Sequence, residues 1–154
     1  MTTNRTAIFP GSFDPITIGH VDLVHRSLDV FDKVIVGVGT NSEKKYLFDA
    51  SKRLEMVIKS FDGNPKVSVM AYDGLTVDFC NKHQAGFILR GIRNAADYEF
   101  EKSISIVNSM LNPKIETVFL FSKPEHEAIS STIIRDIIRN GGDASGLLPK
   151  GISI

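Results

Sequence analysis

Short apolar runs alternate with stretches in which apolar positions recur every three or four residues, from one end of the chain to the other. Residues 7–9, 33–38, 66–72, 86–89 and 117–121 are brief, β-branched or aromatic, and bounded by polar or turn-forming residues. Such runs predict buried strands. Between them, Val21, Val24, Leu28 and Phe31 fall on one helical face, as do Leu54, Val57, Ile58 and Phe61. Phe100, Ile104, Val107 and Leu111 repeat the spacing, and Ile134, Ile137 and Ile138 open another stripe. All four stripes are expected to pack into the core.

Strand, helix, strand, helix at this spacing predicts crossover units: an α/β fold with a five-stranded, mostly parallel sheet covered by helices on both faces. No repeat or long linker interrupts residues 1–154, so a single domain is expected, with residues 147–149 packing back as a short tail. A chain of 154 residues buries enough surface for a core without covalent staples. One cysteine, Cys80, excludes an internal disulfide framework and a multi-cysteine zinc site. The absence of an 18-residue apolar run predicts no membrane span, and the polar start from Met1 to Thr6 predicts no signal peptide. A cytoplasmic location is the default expectation.

Charge sharpens the picture. Eighteen Lys and Arg balance eighteen Asp and Glu, which argues against a protein that coats nucleic acid through a general basic excess. Anion binding must then be local. In parallel sheets ligands sit beyond the carboxyl ends of the strands, so the segments after each strand deserve inspection.

Four of those five segments carry anion-binding groups. Pro10-Gly11-Ser12-Phe13-Asp14-Pro15 leads to Thr17-Ile18-Gly19-His20 at a helix start, where free N–H groups and the helix dipole favour a phosphate beside Ser12 and His20. A plain alternative makes Thr17 the helix cap and His20 an exposed bystander. Gly37-x-Gly39 lacks the third glycine of a dinucleotide fingerprint. Lys44 and Lys45 follow it, as solvated charges or as point charges aimed at phosphate. Arg90-Gly91-Ile92-Arg93 ends the fourth run, with guanidinium forks suited to phosphate oxygens or to partners such as Asp97 and Glu99. Ser130-Ser131-Thr132 opens the last long helix, with Arg135 one turn on.

P-G-S-F-D-P-x-T-x-G-H at Pro10 to His20 resembles the signature of the nucleotidyltransferase superfamily with the (T/H)xGH motif. R-G-I-R-N-x-x-D-Y-E-x-E from Arg90 to Glu101, I-S-S-T-x-x-R from Ile129 to Arg135, N-S-E-K-K-Y-L-F and R-L-E-M narrow it. With these, the chain resembles the phosphopantetheine adenylyltransferases over essentially its whole length. That resemblance implies a Rossmann-like fold, transfer of AMP from ATP to 4′-phosphopantetheine, a requirement for Mg²⁺, and a homohexamer.

Carried over by position, the resemblance implies that Ser12 contacts the acceptor phosphate and borders ATP, and that His20 binds the triphosphate of ATP and stabilises the transferring α-phosphorus. Lys44 and Arg90 would hold the acceptor phosphate, and Thr76 the pantetheine arm. Phe13, Gly91, Ile92, Arg93 and Glu101 would bind ATP, with His126, Glu127, Ala128, Ile129, Ser130, Ser131 and Thr132 closing over adenine and the outer phosphates. Where relatives usually carry an aromatic residue, this chain reads Glu125-His126-Glu127-Ala128, so Glu127 must turn away from the polyphosphate. No protein cage for a metal is evident, and Mg²⁺ would be held mainly by the substrates' phosphates and water. An ionised phosphate nucleophile needs no general base, which suits a site of cations, hydroxyls and helix starts. A small nucleotidyltransferase acting on nicotinate mononucleotide or a polyol phosphate is the alternative. Lys44, residues 90–93 and residues 129–132 favour the pantetheine enzymes. His25, Cys80 and His83 are expected to have no functional role.

Overall fold

The strands stand in the order β3-β2-β1-β4-β5, all parallel, in a computed structural model that describes residues 4–154. They are β1 (Thr6–Gly11), β2 (Lys33–Gly39), β3 (Val67–Tyr72), β4 (Phe87–Ile92) and β5 (Glu116–Phe121). The helices are α1 (Ile18–Ser27), α2 (Ala50–Ser60), α3 (Thr76–Lys82), α4 (Ala95–Leu111) and α5 (Ser131–Arg139). Short 3₁₀ turns occupy Pro124–His126 and Ser145–Leu147. Of the polar start, residues 1–3 lie outside the described residues. No helix among the described residues is long and apolar enough to cross a membrane.

Alternation along the strands builds two cores. Ala7, Phe9, Val34, Val36, Val38 and Leu89 face one layer, where they meet Leu23 and Val24 of α1, Met56 and Val57 of α2, and Ile134 of α5. Ile8, Ile35 and Ile88 point the other way, toward Val77, Phe79 and Cys80 of α3. Period-two burial on both sides is what a parallel sheet between helical layers requires. The tail does pack back: Leu148 and Ile152 join the larger core.

Two expectations are corrected. Arg90, Gly91 and Ile92 were expected beyond the fourth strand but are its last residues, because they continue the register against Phe119, Leu120 and Phe121 of β5. The α4 stripe was expected in the core, yet Phe100, Ile104, Val107 and Leu111 are exposed. The inward line of α4 is polar instead: Asp97, Glu101, Ser105 and Asn108 are its less exposed positions. A 3.6-residue period separates two faces of a helix without saying which one meets the rest of the chain.

The sheet reverses its order of addition between β1 and β4. Those neighbours pair only at Ala7↔Phe87 and Ile8↔Ile88, whereas β1 and β2 stay in register from Thr6↔Lys33 to Gly11↔Val38. A cleft therefore opens above the carboxyl ends of β1 and β4, at the topological switch point.

Candidate active site

The cleft has two lobes. The first, about 360 Å³, is lined by Ser12, Lys44, Tyr46, Tyr72, Thr76, Arg90, Glu101 and Asn108, with Phe100 and Ile104 at one side. The second, about 300 Å³, is lined by Ser12, Phe13, Gly19, His20, Arg90, Gly91, Arg93, Glu101, His126, Ile129, Ser130, Ser131, Thr132 and Arg135. Pro10, Gly11, Ser12, Arg90 and Glu101 belong to both.

The β1–α1 loop is fixed by four side chains. Arg53 of α2, 1% exposed, donates Nη1 to the carbonyls of Ser12 (2.6 Å) and Gly39 (2.8 Å) and Nε to that of Phe48 (3.2 Å). The buried Asp14 carboxylate accepts the N–H groups of Leu47 (2.8 Å) and Phe48 (2.9 Å). From α5, Ser131 donates its hydroxyl to the Pro15 carbonyl (2.8 Å) and Arg135 donates to that of Asp14 (2.9 Å). The Asp14–Pro15 peptide is cis. Phe13 takes φ of +49° and packs its ring over Gly11, where an added Cβ would lie 2.9 Å from the ring. Glycine at 11 is thus a close-approach requirement.

Of the plain reading of the helix start, the Thr17 cap holds, but His20 is not the exposed bystander that it expected. Thr17 caps α1 by accepting the His20 N–H at 3.2 Å, and its own N–H donates to His20 Nδ1 at 3.0 Å. The imidazole stands edge-on to Phe13, 5.1 Å between centroids, and lines the second lobe. Burial, with the nearby Arg90 and Arg93 charges, pushes its pKa down to about 4. The ring is therefore neutral near pH 7. Because Nδ1 accepts a backbone N–H, the proton sits on Nε2, leaving that atom as a donor.

Arg90 joins the lobes. It forms a fork with the Glu101 carboxylate, Nε at 2.9 Å, and also donates to the Pro10 carbonyl, spanning the gap where β1 and β4 part. Glu101, read as a nucleotide contact, has its carboxylate engaged by this arginine and is 7% exposed. Arg93 is paired with Asp97 (3.1 Å) and donates to the Ile129 carbonyl (3.4 Å), tying β4 to the segment before α5. Asp97, named among its possible partners, is the one engaged, and Glu99 takes no part.

The other expected residues divide. Lys44 is exposed at the mouth of the first lobe, and Thr76 lines it with its hydroxyl 3.0 Å from that of Tyr72. Ser130 caps α5 by accepting the Ile133 N–H at 3.2 Å. Glu127 and Ala128, expected to close over ATP, are exposed and do not line the cleft, and neither does Ile92, whose side chain is buried in the sheet. His126 does line it, with Nδ1 3.7 Å from an Asp22 carboxylate that also binds Arg26 and Lys123. His25 packs edge-on to Phe61, and Cys80 is buried with its pKa raised to about 11 by desolvation.

Arg53, Asp14 and Tyr46 escaped the sequence reading. Arg53 had a signal: it lies three and four residues before Met56 and Val57, on the buried face of α2. Asp14 and Tyr46 sit inside quoted motifs, but only the fold shows what each touches.

A cytidylyltransferase-like family model matches residues 8–137, which contain both lobes. A phosphopantetheine adenylyltransferase of Flavobacterium psychrophilum is 51% identical over 150 residues, 97% of this chain and 99% of the relative. Phosphopantetheine adenylyltransferases of Bacteroides thetaiotaomicron and Limosilactobacillus reuteri are 45% and 40% identical, each over 97% of this chain and over 99% and 86% of the relative. With that coverage, and with residues of the Pro10–His20, Arg90–Glu101 and Ile129–Arg135 motifs meeting at one cleft, the chain belongs to the phosphopantetheine adenylyltransferase family within the cytidylyltransferase-like group.

Proposed function

We propose that this protein transfers AMP from ATP to 4′-phosphopantetheine, giving dephospho-coenzyme A and pyrophosphate. The observation that carries this reading is the meeting of two cation-bearing lobes at Ser12 and Arg90. The first lobe, with Lys44 at its mouth and Phe100 and Ile104 along one side, suits an acceptor with a phosphate head and a long, partly apolar arm. The second, with His20, Arg93, Arg135 and the start of α5, suits a triphosphate.

An oxygen of the acceptor phosphate attacks the α-phosphorus of ATP, a new P–O bond forms, and the bond to the bridging oxygen breaks to release pyrophosphate. The nucleophile is already ionised, so the protein's work is alignment and stabilisation of the equatorial oxygens. Neutral His20 donates Nε2–H to the reacting phosphoryl group, held in place by Thr17. Arg90, braced by Glu101, fixes the acceptor phosphate at the junction.

Asp14, Asp97 and Glu101, the carboxylates lining the second lobe, are each bonded to backbone N–H groups or arginines. Mg²⁺ therefore fits as an ion held by substrate phosphates and water, where it supplies charge neutralisation. The exposed apolar face of α4 supports a homo-oligomer, six copies being the number the family resemblance implies. A cytoplasmic location completes the reading.

Incubation with ATP, Mg²⁺ and 4′-phosphopantetheine tests it through pyrophosphate release. Release only with nicotinate mononucleotide or a polyol phosphate would transfer the assignment to those acceptors, and no release with any acceptor would leave a silent nucleotide-binding module.

A further inference from the structure

Asp22 of α1 lines neither lobe, yet three side chains converge on its carboxylate. Arg26 Nε stands 3.0 Å from it, Lys123 Nζ 3.2 Å and His126 Nδ1 3.7 Å. Lys123 and His126 come from the segment between β5 and α5, whose Ser122, His126 and Ile129 wall the second lobe. Both ends of that segment are anchored where β4 stops. Ser122 donates its N–H to the Ile92 carbonyl (2.9 Å), and Arg93 donates to the Ile129 carbonyl (3.4 Å). From the other side, α1 meets this stretch along one helical face made by Gly19, Asp22 and Arg26. Arg26 donates to the Phe121 carbonyl (2.6 Å), Asp22 takes Lys123, and a Cβ on Gly19 would lie 3.6 Å from that of His126.

A carboxylate in this place runs against simple electrostatics. Its side chain is 17% exposed, directly behind His126, and from there its field repels a triphosphate in the lobe. What it contributes must be geometric. Resting on the reading that the second lobe receives ATP, we infer that Asp22 is a positioning residue whose carboxylate clamps residues 122–129 against α1 and so sets the wall that ATP meets. Without the carboxylate, the Arg26 and Lys123 cations face each other unscreened. The middle of the segment then loses its hold on α1, while both ends stay anchored to β4.

Charge and geometry predict opposite signs. Asp22→Asn keeps the shape and removes the charge, so a residue acting only through its field would let ATP bind more tightly. As a clamp, its loss should raise the dissociation constant for ATP about 5–20-fold, read by calorimetry on the full chain with Mg²⁺. The KM for 4′-phosphopantetheine should stay within about twofold. Lys123 is 44% exposed, so Lys123→Met leaves the fold standing and should also weaken ATP. Adding it to Asp22→Asn should cost little more, because both break one contact. An unchanged or tightened ATP constant in Asp22→Asn, an equal loss for both substrates, an indifferent Lys123→Met, or full additivity of the two would each overturn the inference. Where Asp22→Asn does not fold, Lys123→Met decides alone by the same measurement. A wild type that binds no ATP defeats the reading of the second lobe and the clamp with it. A wild type that binds ATP and releases pyrophosphate, beside an indifferent Asp22→Asn, defeats only the role of Asp22.

Discussion

The Thr17 N–H points at Nδ1 of His20, 3.0 Å away, so a helix cap and the donor proposed for the reacting phosphoryl group are one hydrogen-bonded unit. The cap fixes the tautomer, and burial with two nearby arginines fixes the charge state. A histidine that must hand a hydrogen bond to a phosphoryl oxygen gains from both, because Nε2–H is presented without waiting for a proton.

Removing that donor should leave binding largely intact and slow the chemistry. His20→Ala is expected to lower kcat by about 10²–10³-fold, the size of one lost transition-state donor, with a smaller change in the KM for ATP. Single-turnover measurement checks this, and an unchanged kcat would take His20 out of the mechanism.

The same group should make stability depend on pH. Unfolded, His20 titrates near its ordinary 6.5; folded, near 4. Between those values the unfolded chain binds the extra proton, so stability is full above 6.5 and is lost as pH falls toward 4. One such proton gives a slope of at most ~1.4 kcal/mol per pH unit. Urea melts from pH 7.5 to 4.5 should show a steeper loss for the wild type than for His20→Gln. Parallel curves would mean that the imidazole titrates normally in the fold.

Arg53 should be a stability residue as well as a brace. Its buried guanidinium serves three carbonyls, and no carboxylate pairs with it among the described residues. Arg53→Met keeps apolar bulk and strands those acceptors, for an expected loss of about 2–5 kcal/mol. Arg53→Lys should rescue little, because one ammonium cannot reproduce the planar fork. The denaturation midpoint decides it; a midpoint unchanged in Arg53→Met would show the carbonyls satisfied by other means.

Much of this was readable in the chain, for identifiable reasons. Short β-branched runs gave the parallel sheet, and the rule for strand ends led to Ser12, His20, Arg90 and Ser130, all of which the fold brings to one cleft. What escaped depended on partners far along the chain. Arg90 and Gly91 look like loop residues until β5 pairs beside them, and nothing local shows that Glu101 returns one helix later to hold Arg90. Arg53 follows Lys52 and looks like one of two surface charges. The inversion of α4 was hidden because periodicity describes a helix, not its neighbours.

Lys44 should separate the two lobes kinetically. It is exposed at the mouth of the first lobe and absent from the second. Lys44→Ala should raise the KM for 4′-phosphopantetheine about 10–100-fold, the range for a lost hydrogen bond to a charged group, and the KM for ATP by less than about threefold. Steady-state kinetics with each substrate varied in turn is the check. A larger effect on ATP would exchange the roles of the lobes.

The outward face of α4 carries the last expectation. Ile106, Val107, Met110 and Leu111 are 51%, 54%, 78% and 54% exposed, on the helix whose inward line is polar. Apolar side chains left this exposed suit an interface, and the homo-oligomer proposed above makes a second copy of the chain the expected partner. Light scattering should therefore report a multiple of 17.0 kDa. Met110→Glu puts a charge at the most exposed of these positions, where it costs the isolated subunit nearly nothing but would be desolvated between subunits. It should yield a smaller, still folded species with unaltered far-ultraviolet circular dichroism. A wild type that runs at 17.0 kDa, or a variant that assembles undisturbed, would leave this face without a partner copy.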